Sequence, residues 1–370
     1  MFRSRLHSSL PIRFLAAGVL AAVAAPGLTG GAGAQPPAQA QPAQPQAVQL
    51  GDTIVKSDTI DYDLDKRQYL LTGKVDLVSR NSHMTADEMT VQMTDKNELE
   101  WAKCVGNVFV EKKDPEDGSF MKGWGKTLDY HEIQQTANLA GGDVIVHQSS
   151  PRLKEPAVIT GSRVDMNLKT KENVVHRKPS EQAKVHLEPK GAEAQAGMPA
   201  KPDPEPVDLQ GDKIDMDGIK QLYVATGKPS IVRPSSKLTA KTIRFQIDEK
   251  TNELKQAFAD ENVVYDGKSS NGSIVHATGD NGTFDAEQDL MVLEGHANAT
   301  VKDPAKEKPT VYLGHKFVFN NKTGRRTLSA GPTAAIAQIT VPQEEKKPGE
   351  TKPGEAKPAE TKPAGGADAK

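Results

Sequence analysis

Residues 58–78, DTIDYDLDKRQYLLTGKVDLV, read as two short strands around a polar turn, and the pattern returns far down the chain at a constant distance. Ile60, Tyr62 and Leu64 share one parity in the first arm. Tyr69, Leu71, Gly73, Val75 and Leu77 share one in the second, so each arm presents a single apolar face. Asp212, Ile214, Met216, Tyr223 and Gly227 lie 154 positions after Asp58, Ile60, Tyr62, Tyr69 and Gly73. Asn252-Glu253-Leu254 follows Asn97-Glu98-Leu99 by 155, and Asn320, Lys322 and Thr323 follow Asn167, Lys169 and Thr170 by 153. An offset that holds across whole hairpins is the mark of a duplication.

Each half holds four such units. After the opening hairpin come Thr85 to Val110, with Met89, Val91 and Met93 alternating, then Thr127 to Val146, then a blurred unit from Ser162 to Leu187. Arms of roughly 5–9 residues give an all-β chain of about 16 strands in two four-hairpin halves, with almost no helix. Gly73, Gly106, Gly142, Gly227 and Gly295 fall at the same place in their arms and read as bends in a sheet.

The ends are too biased to join a core. Arg3, Arg5 and Arg13, the apolar run 14–28 and Ala32-Gly33-Ala34 have the layout of a cleavable secretory signal over residues 1–34. The rival reading of that run is a membrane anchor, against which stand its shortness and Pro26-Gly27. Residues 35–50 read as a disordered Pro/Gln/Ala spacer, 51–190 as the first β region, 191–208 as a Pro-rich linker, 209–340 as the second β region, and 341–370 as a disordered Lys/Pro/Glu tail. With such a signal the chain is expected to be exported to the periplasm. Loss of the signal moves the formal charge from -2 to about -5, which gives no reason to expect nucleic acid as a partner.

Catalysis finds no foothold. Asp61, Asp63 and Asp65 begin like a calcium loop, but Lys66 stands where glycine is wanted and Thr72 where glutamate is wanted. The histidines are scattered without metal-ligand spacing, and the single cysteine, Cys104, has no disulfide partner and no nucleophile signature. No catalytic residue, metal or cofactor is expected, and the chain is not expected to be an enzyme. What remains is the apolar stripe, which must be buried either against a second sheet, giving a structural scaffold with a self-filled core, or around an apolar ligand. Sparse aromatics, 5% of residues, tilt the balance toward a furrow. Free sheet edges are either blunted or used for strand addition.

The stretches DTIDYDLDKRQYLLTGKV, ADEMTVQMTDKNELEWAKCVGNVFV, KTLDYHEIQQTANLAGGDVIV and LTAKTIRFQIDEKTNELKQAFADENVVY resemble the units of the OstA-like, or LptA-type, family of lipopolysaccharide-transport proteins. The similarity runs from Asp52 to Pro332 and departs from the pattern at Glu261-Asn262-Val263, where glycine is expected. The resemblance implies an open, twisted β-jellyroll that carries lipopolysaccharide or a related glycolipid toward the outer membrane. It also implies other Lpt-type jellyrolls as partners through edge-strand addition, and head-to-tail self-association. By position, the furrow would be lined by Ile60, Tyr62, Leu71, Val75, Leu77, Met89, Val91, Val108, Val110, Val144 and Val146. Ile214, Met216, Ile231, Ile243, Phe245, Val263 and Phe284 would continue it.

Overall fold

The computed structural model describes residues 46–330, except 51, 97, 116–117, 152, 191–203 and 249–252, together with residues 336–338. The expected signal at 1–34, the tail at 341–370 and most of the expected linker lie outside the described residues. The described residues contain strands and no helix, and the strand pairings are antiparallel.

The first half holds β1 (Gln46–Leu50), β2 (Thr53–Ser57), β3 (Thr59–Asp63), β4 (Gln68–Val78), β5 (Ser82–Met93), β6 (Leu99–Lys113), β7 (Phe120–His131), β8 (Thr136–Gln148), β9 (Ala157–Asn167), β10 (Glu172–His176) and β11 (Ala183–Leu187). In the second half, six short strands come first: β12 (Val207–Gly211), β13 (Lys213–Asp217), β14 (Leu222–Thr226), β15 (Ser230–Arg233), β16 (Ser236–Thr239) and β17 (Thr242–Ile247). They are followed by β18 (Leu254–Lys268), β19 (Ile274–Asp285), β20 (Leu290–Lys302), β21 (Thr310–Asn320), β22 (Arg326–Ser329) and β23 (Ile336–Gln338).

Each long strand turns a corner at its middle and so belongs to two layers. Residues 68–72 of β4 pair with β3, whereas residues 76–78 pair with β2. The register breaks between Thr72 and Val75, and again at Val105/Val108, Trp124/Thr127, Ala140/Val144, Asp260/Val263 and Glu294/Ala297. Such bulges bend a strand without ending its ladder. The arms are therefore longer than the 5–9 residues expected from alternation, reaching 15 in β6 and β18. The strand number also differs from the expected 16. Sixteen arms are present, but six of them (β2/β3, β10/β11, β12/β13, β14/β15, β16/β17 and β22/β23) split in two at the corner, and β1 is added at the edge, giving 23.

One corner shows the physics. Gly106 and Asn107 both have positive φ, 77° and 44°, a pair of left-handed residues that sharply bends β6. A Cβ at Gly106 would collide with the Asp87 carboxylate, which accepts a hydrogen bond from Asn107 Nδ2 at 2.9 Å. At the matching corner of the second half, Glu261 and Asn262 adopt φ of 60° and 54° without any glycine. There the position 154 residues after Asp87 is Lys241, whose Nζ meets Glu261 Oε2 at 2.8 Å and whose backbone N–H donates to the Glu261 carbonyl at 2.9 Å. An acid beside glycine has become a lysine beside glutamate. The missing glycine at this bend is thus a substitution with its partner adjusted, and the fold is kept.

The two halves form uninterrupted ladders. In one layer β9 pairs with β10 and β10 with β13; in the other β9 pairs with β11 and β11 with β12. Val207 and Asp208, expected in the linker, begin β12, because pairing with Leu187 and His186 needs only backbone groups and a buried Val207. Gln46–Leu50, expected in the spacer, is β1 for the same reason: a polar composition does not stop a hairpin partner from completing a ladder with β2. The return arm of the fourth unit, blurred in sequence, is β10 and β11, with Pro179 in the corner between them where a bonded N–H is not needed. The result is an all-β twisted jellyroll, with its apolar core between the layers running from Val55 to Phe319 as one cluster. At its ends β3 pairs only with β4, and β22 and β23 only with β21, among the described residues.

Candidate functional site

The interior between the layers is the candidate site. Leu71, Met89, Val91, Ile214, Met216, Ile243, Phe245 and Phe284 point into it from one layer. Val75, Leu77, Val108, Val110, Val144, Val146, Ile231 and Val263 do so from the other, and all sixteen are buried. Ile60 is half-buried, and Tyr62, on the edge strand β3, is 42% exposed and stacked on Tyr69 at 4.3 Å. Alternation read as one unbroken period holds through the corner on β4, β6 and β18 but misses lining residues on β5, β8 and β9, where the bulge shifts the parity. On β5 the buried parity changes from Met84 and Ala86 to Met89, Val91 and Met93 as the strand crosses its corner. Leu128, Tyr130 and Leu139 also line it, and the signal that finds them is the same alternation restarted after each bulge; Tyr265 simply continues the parity of Val263.

Opposite the corners, the free tips of the layers meet in a seam. Two small cavities of about 10 Å³ lie along it, each room for about one water. The first is lined by Ser82, Met84, Val110, Met121, Tyr130 and Met166, with Lys112 over the Tyr130 ring at 5.9 Å. The second is lined by Ile231, Arg233, Ser236, Leu238, Tyr265 and Phe284. Arg233 sits 5.1 Å from the Phe284 ring centroid, with Nη2 3.0 Å from Glu205 and Nη1 3.8 Å from Asp289. Tyr265 donates its hydroxyl hydrogen to Asn321 Oδ1 at 2.9 Å.

The candidate catalytic groups fall to structural roles. Asp63 accepts a hydrogen bond from the Lys66 backbone N–H at 3.0 Å and pairs with the Lys66 ammonium, which hold its carboxyl below the usual range and cap a turn. Cys104 is buried, and burial, with the nearby Asp129 charge, pushes its thiol up to about 12, far from a thiolate nucleophile. His83, His131, His176, His186, His276 and His296 sit beside aspartates, as His83 with Asp76 at 2.8 Å and His186 with Asp208 at 2.6 Å. Among the described residues no cluster of three His, Cys, Asp or Glu side chains could hold a metal.

Buried tyrosines give the interior a pH signature. Burial raises the phenols of Tyr265 and Tyr223 from 10.0 to about 12, and that of Tyr130 is also raised, by burial and by its hydrogen bond to Glu132. The unfolded chain then loses these protons before the folded one. Stability is full below pH 10 and falls as pH rises toward about 12. The thermal midpoint should drop across that window, and Tyr265→Phe should flatten the drop; an unchanged slope would remove Tyr265 from the account.

A family model described as LptA/(LptD N-terminal domain) LPS transport protein matches residues 54–172 and 208–325, one span in each half. The chain belongs to this family. The LptA/LptD N-terminal domain match covers the same strands that the sequence duplication pairs, and the family is one of transport proteins. No curated protein matches the chain. Solved structures that resemble it include LptH, described as the LptA-homologous periplasmic component of the conserved lipopolysaccharide transport device from Pseudomonas aeruginosa. That likeness has 18% identity and a TM-score of 0.30, covering 38% of this chain and 90% of LptH.

Proposed function

We propose that this protein is a periplasmic bridge that carries lipopolysaccharide, or a related glycolipid, toward the outer membrane in its apolar interior, without covalent chemistry. The observation that carries this reading is the unbroken apolar core, continuous through both halves and bounded by ladders that end, among the described residues, in strands paired on one side only. Each acyl methylene transferred from water into such an interior contributes about 0.8 kcal/mol, so a few carbons hold a lipid with no catalytic group. The layers are joined by backbone at the corners and meet mainly through side chains at the seam, so an acyl chain inserted there exchanges one apolar contact for another. Strands β3 and β22 offer backbone groups for addition of a further jellyroll, either another Lpt-type protein or a second copy head to tail.

A photo-crosslinking residue placed at Val91 or at Phe245, with lipopolysaccharide carrying radiolabelled acyl chains as the probe, tests the reading. A labelled adduct at either position is expected; its absence at both would sink it. A structural scaffold with a self-filled core is the second reading, favoured by the smallness of the two seam cavities.

A further inference from the structure

The duplication places an equivalent cavity in each half, and the two have diverged. Ser82 and Met84 of the first correspond, 154 positions on, to Ser236 and Leu238 of the second, and Tyr130 corresponds to Phe284. The structure keeps the register: Met84 pairs with Val110 as Leu238 pairs with Tyr265. Likewise the Leu168 N–H donates to the Gln135 carbonyl at 2.8 Å, as the Asn321 N–H donates to the Asp289 carbonyl at 2.9 Å. At these matched places the first half has Val110 and Leu168 lining one cavity. The second half has Tyr265 bonded to Asn321 across the seam at 2.9 Å, and Asn321 Nδ2 donating to Asp289 at 2.9 Å.

More polar contacts reinforce the second-half seam: the Ser270 N–H and hydroxyl donate to the carbonyls of Asn321 and Lys322 at 3.1 and 2.6 Å, and Arg326 Nη2 donates to Ser273 Oγ at 3.0 Å. The first-half seam is faced instead by Met84, Met121 and Met166, flexible side chains that repack readily. Separating the layers in the second half strands buried polar groups against hydrocarbon, a cost with no counterpart where Val110 faces Leu168.

Resting on the lipid-carrier reading above, we infer that the two halves are unequal: the acyl chains of an anionic glycolipid are taken up through the methionine-lined seam of the first half, whereas the Tyr265–Asn321–Asp289 hydrogen bonds latch the second. Lys112, on the rim of the first cavity, is placed to meet a phosphate or carboxylate of the headgroup.

The test uses the full chain with a photo-crosslinking residue at Met84 or at its counterpart Leu238, probed with lipopolysaccharide radiolabelled in its acyl chains. Adduct at Leu238 should be about tenfold below that at Met84, the shift that one net hydrogen bond can supply. Exchanging the latch for its first-half counterpart, Tyr265→Val with Asn321→Leu, should raise the Leu238 adduct to the Met84 level. Installing it, Val110→Tyr with Leu168→Asn, should lower the Met84 adduct. Tyr265→Phe removes only the hydroxyl and should raise the Leu238 adduct in part, which keeps the test decisive if the double variant unfolds in a thermal melt. Equal adducts in the two halves of the unaltered protein, or no response to Tyr265→Phe, overturn the latch and leave the lipid reading standing. No adduct at either Val91 or Phe245 overturns the lipid reading, and the latch with it.

Discussion

Val91→Asp is expected to destabilise the protein by about 4 kcal/mol or more, because an unpaired carboxylate would be enclosed where the side chain is 1% exposed. Val91 lies on β5 between Tyr69 on β4 and Ala102 on β6, facing the other layer, and among the described residues the core around it is apolar, with no cation to receive the charge. Protonation, the one escape open to the carboxyl, would itself leave a buried polar group. Chemical denaturation of the unaltered and substituted proteins measures the difference. A loss under about 1 kcal/mol, with the fold retained, would show that water reaches Val91 and that the interior is an open groove in the absence of ligand.

Phe245→Ala is expected to cost about 3–5 kcal/mol and to lower the melting temperature by roughly 6–15 °C. Phe245 is fully buried and lies parallel to Tyr223, with ring centroids 4.7 Å apart and planes 16° apart, so truncation removes both the burial and the ring contact. The comparison with Val91 is useful because the two positions lie in different halves. If the ladders are one cooperative body, each substitution lowers a single shared transition; two separate transitions would show that the halves unfold independently. The expected outcome is one transition, since β10 to β13 and β11 to β12 join the halves by backbone pairing.

The period-2 faces of Ile214 and Met216 and of Met89 and Val91 were legible in the residues alone, and so was their burial side, because alternation in an antiparallel strand assigns every second residue to one face. The bends at Gly73 and Gly106 were legible too, since glycine, which tolerates positive φ, recurs at that place; the bend at Glu261, which lacks it, was not. Tyr62 shows the limit. It has the parity of a lining residue, yet β3 is an edge strand with no layer over its end, and the ring stacks on Tyr69 in the open. Cys104 reads in sequence as a small buried side chain without a nucleophile signature, and the structure adds that burial and the nearby Asp129 charge hold its thiol protonated.

The seam divides the two kinds of knowledge most sharply. The 154-residue offset is a property of the chain, and by itself it determined that two matched sets of hairpins exist. That Val110 and Leu168 line one cavity, while Tyr265 and Asn321 share a hydrogen bond, was decided only in three dimensions. Alternation reports which face of a strand a residue occupies, a local property of the backbone. Which residue it meets across the interior depends on where two distant strand tips are brought together, and no local period carries that information.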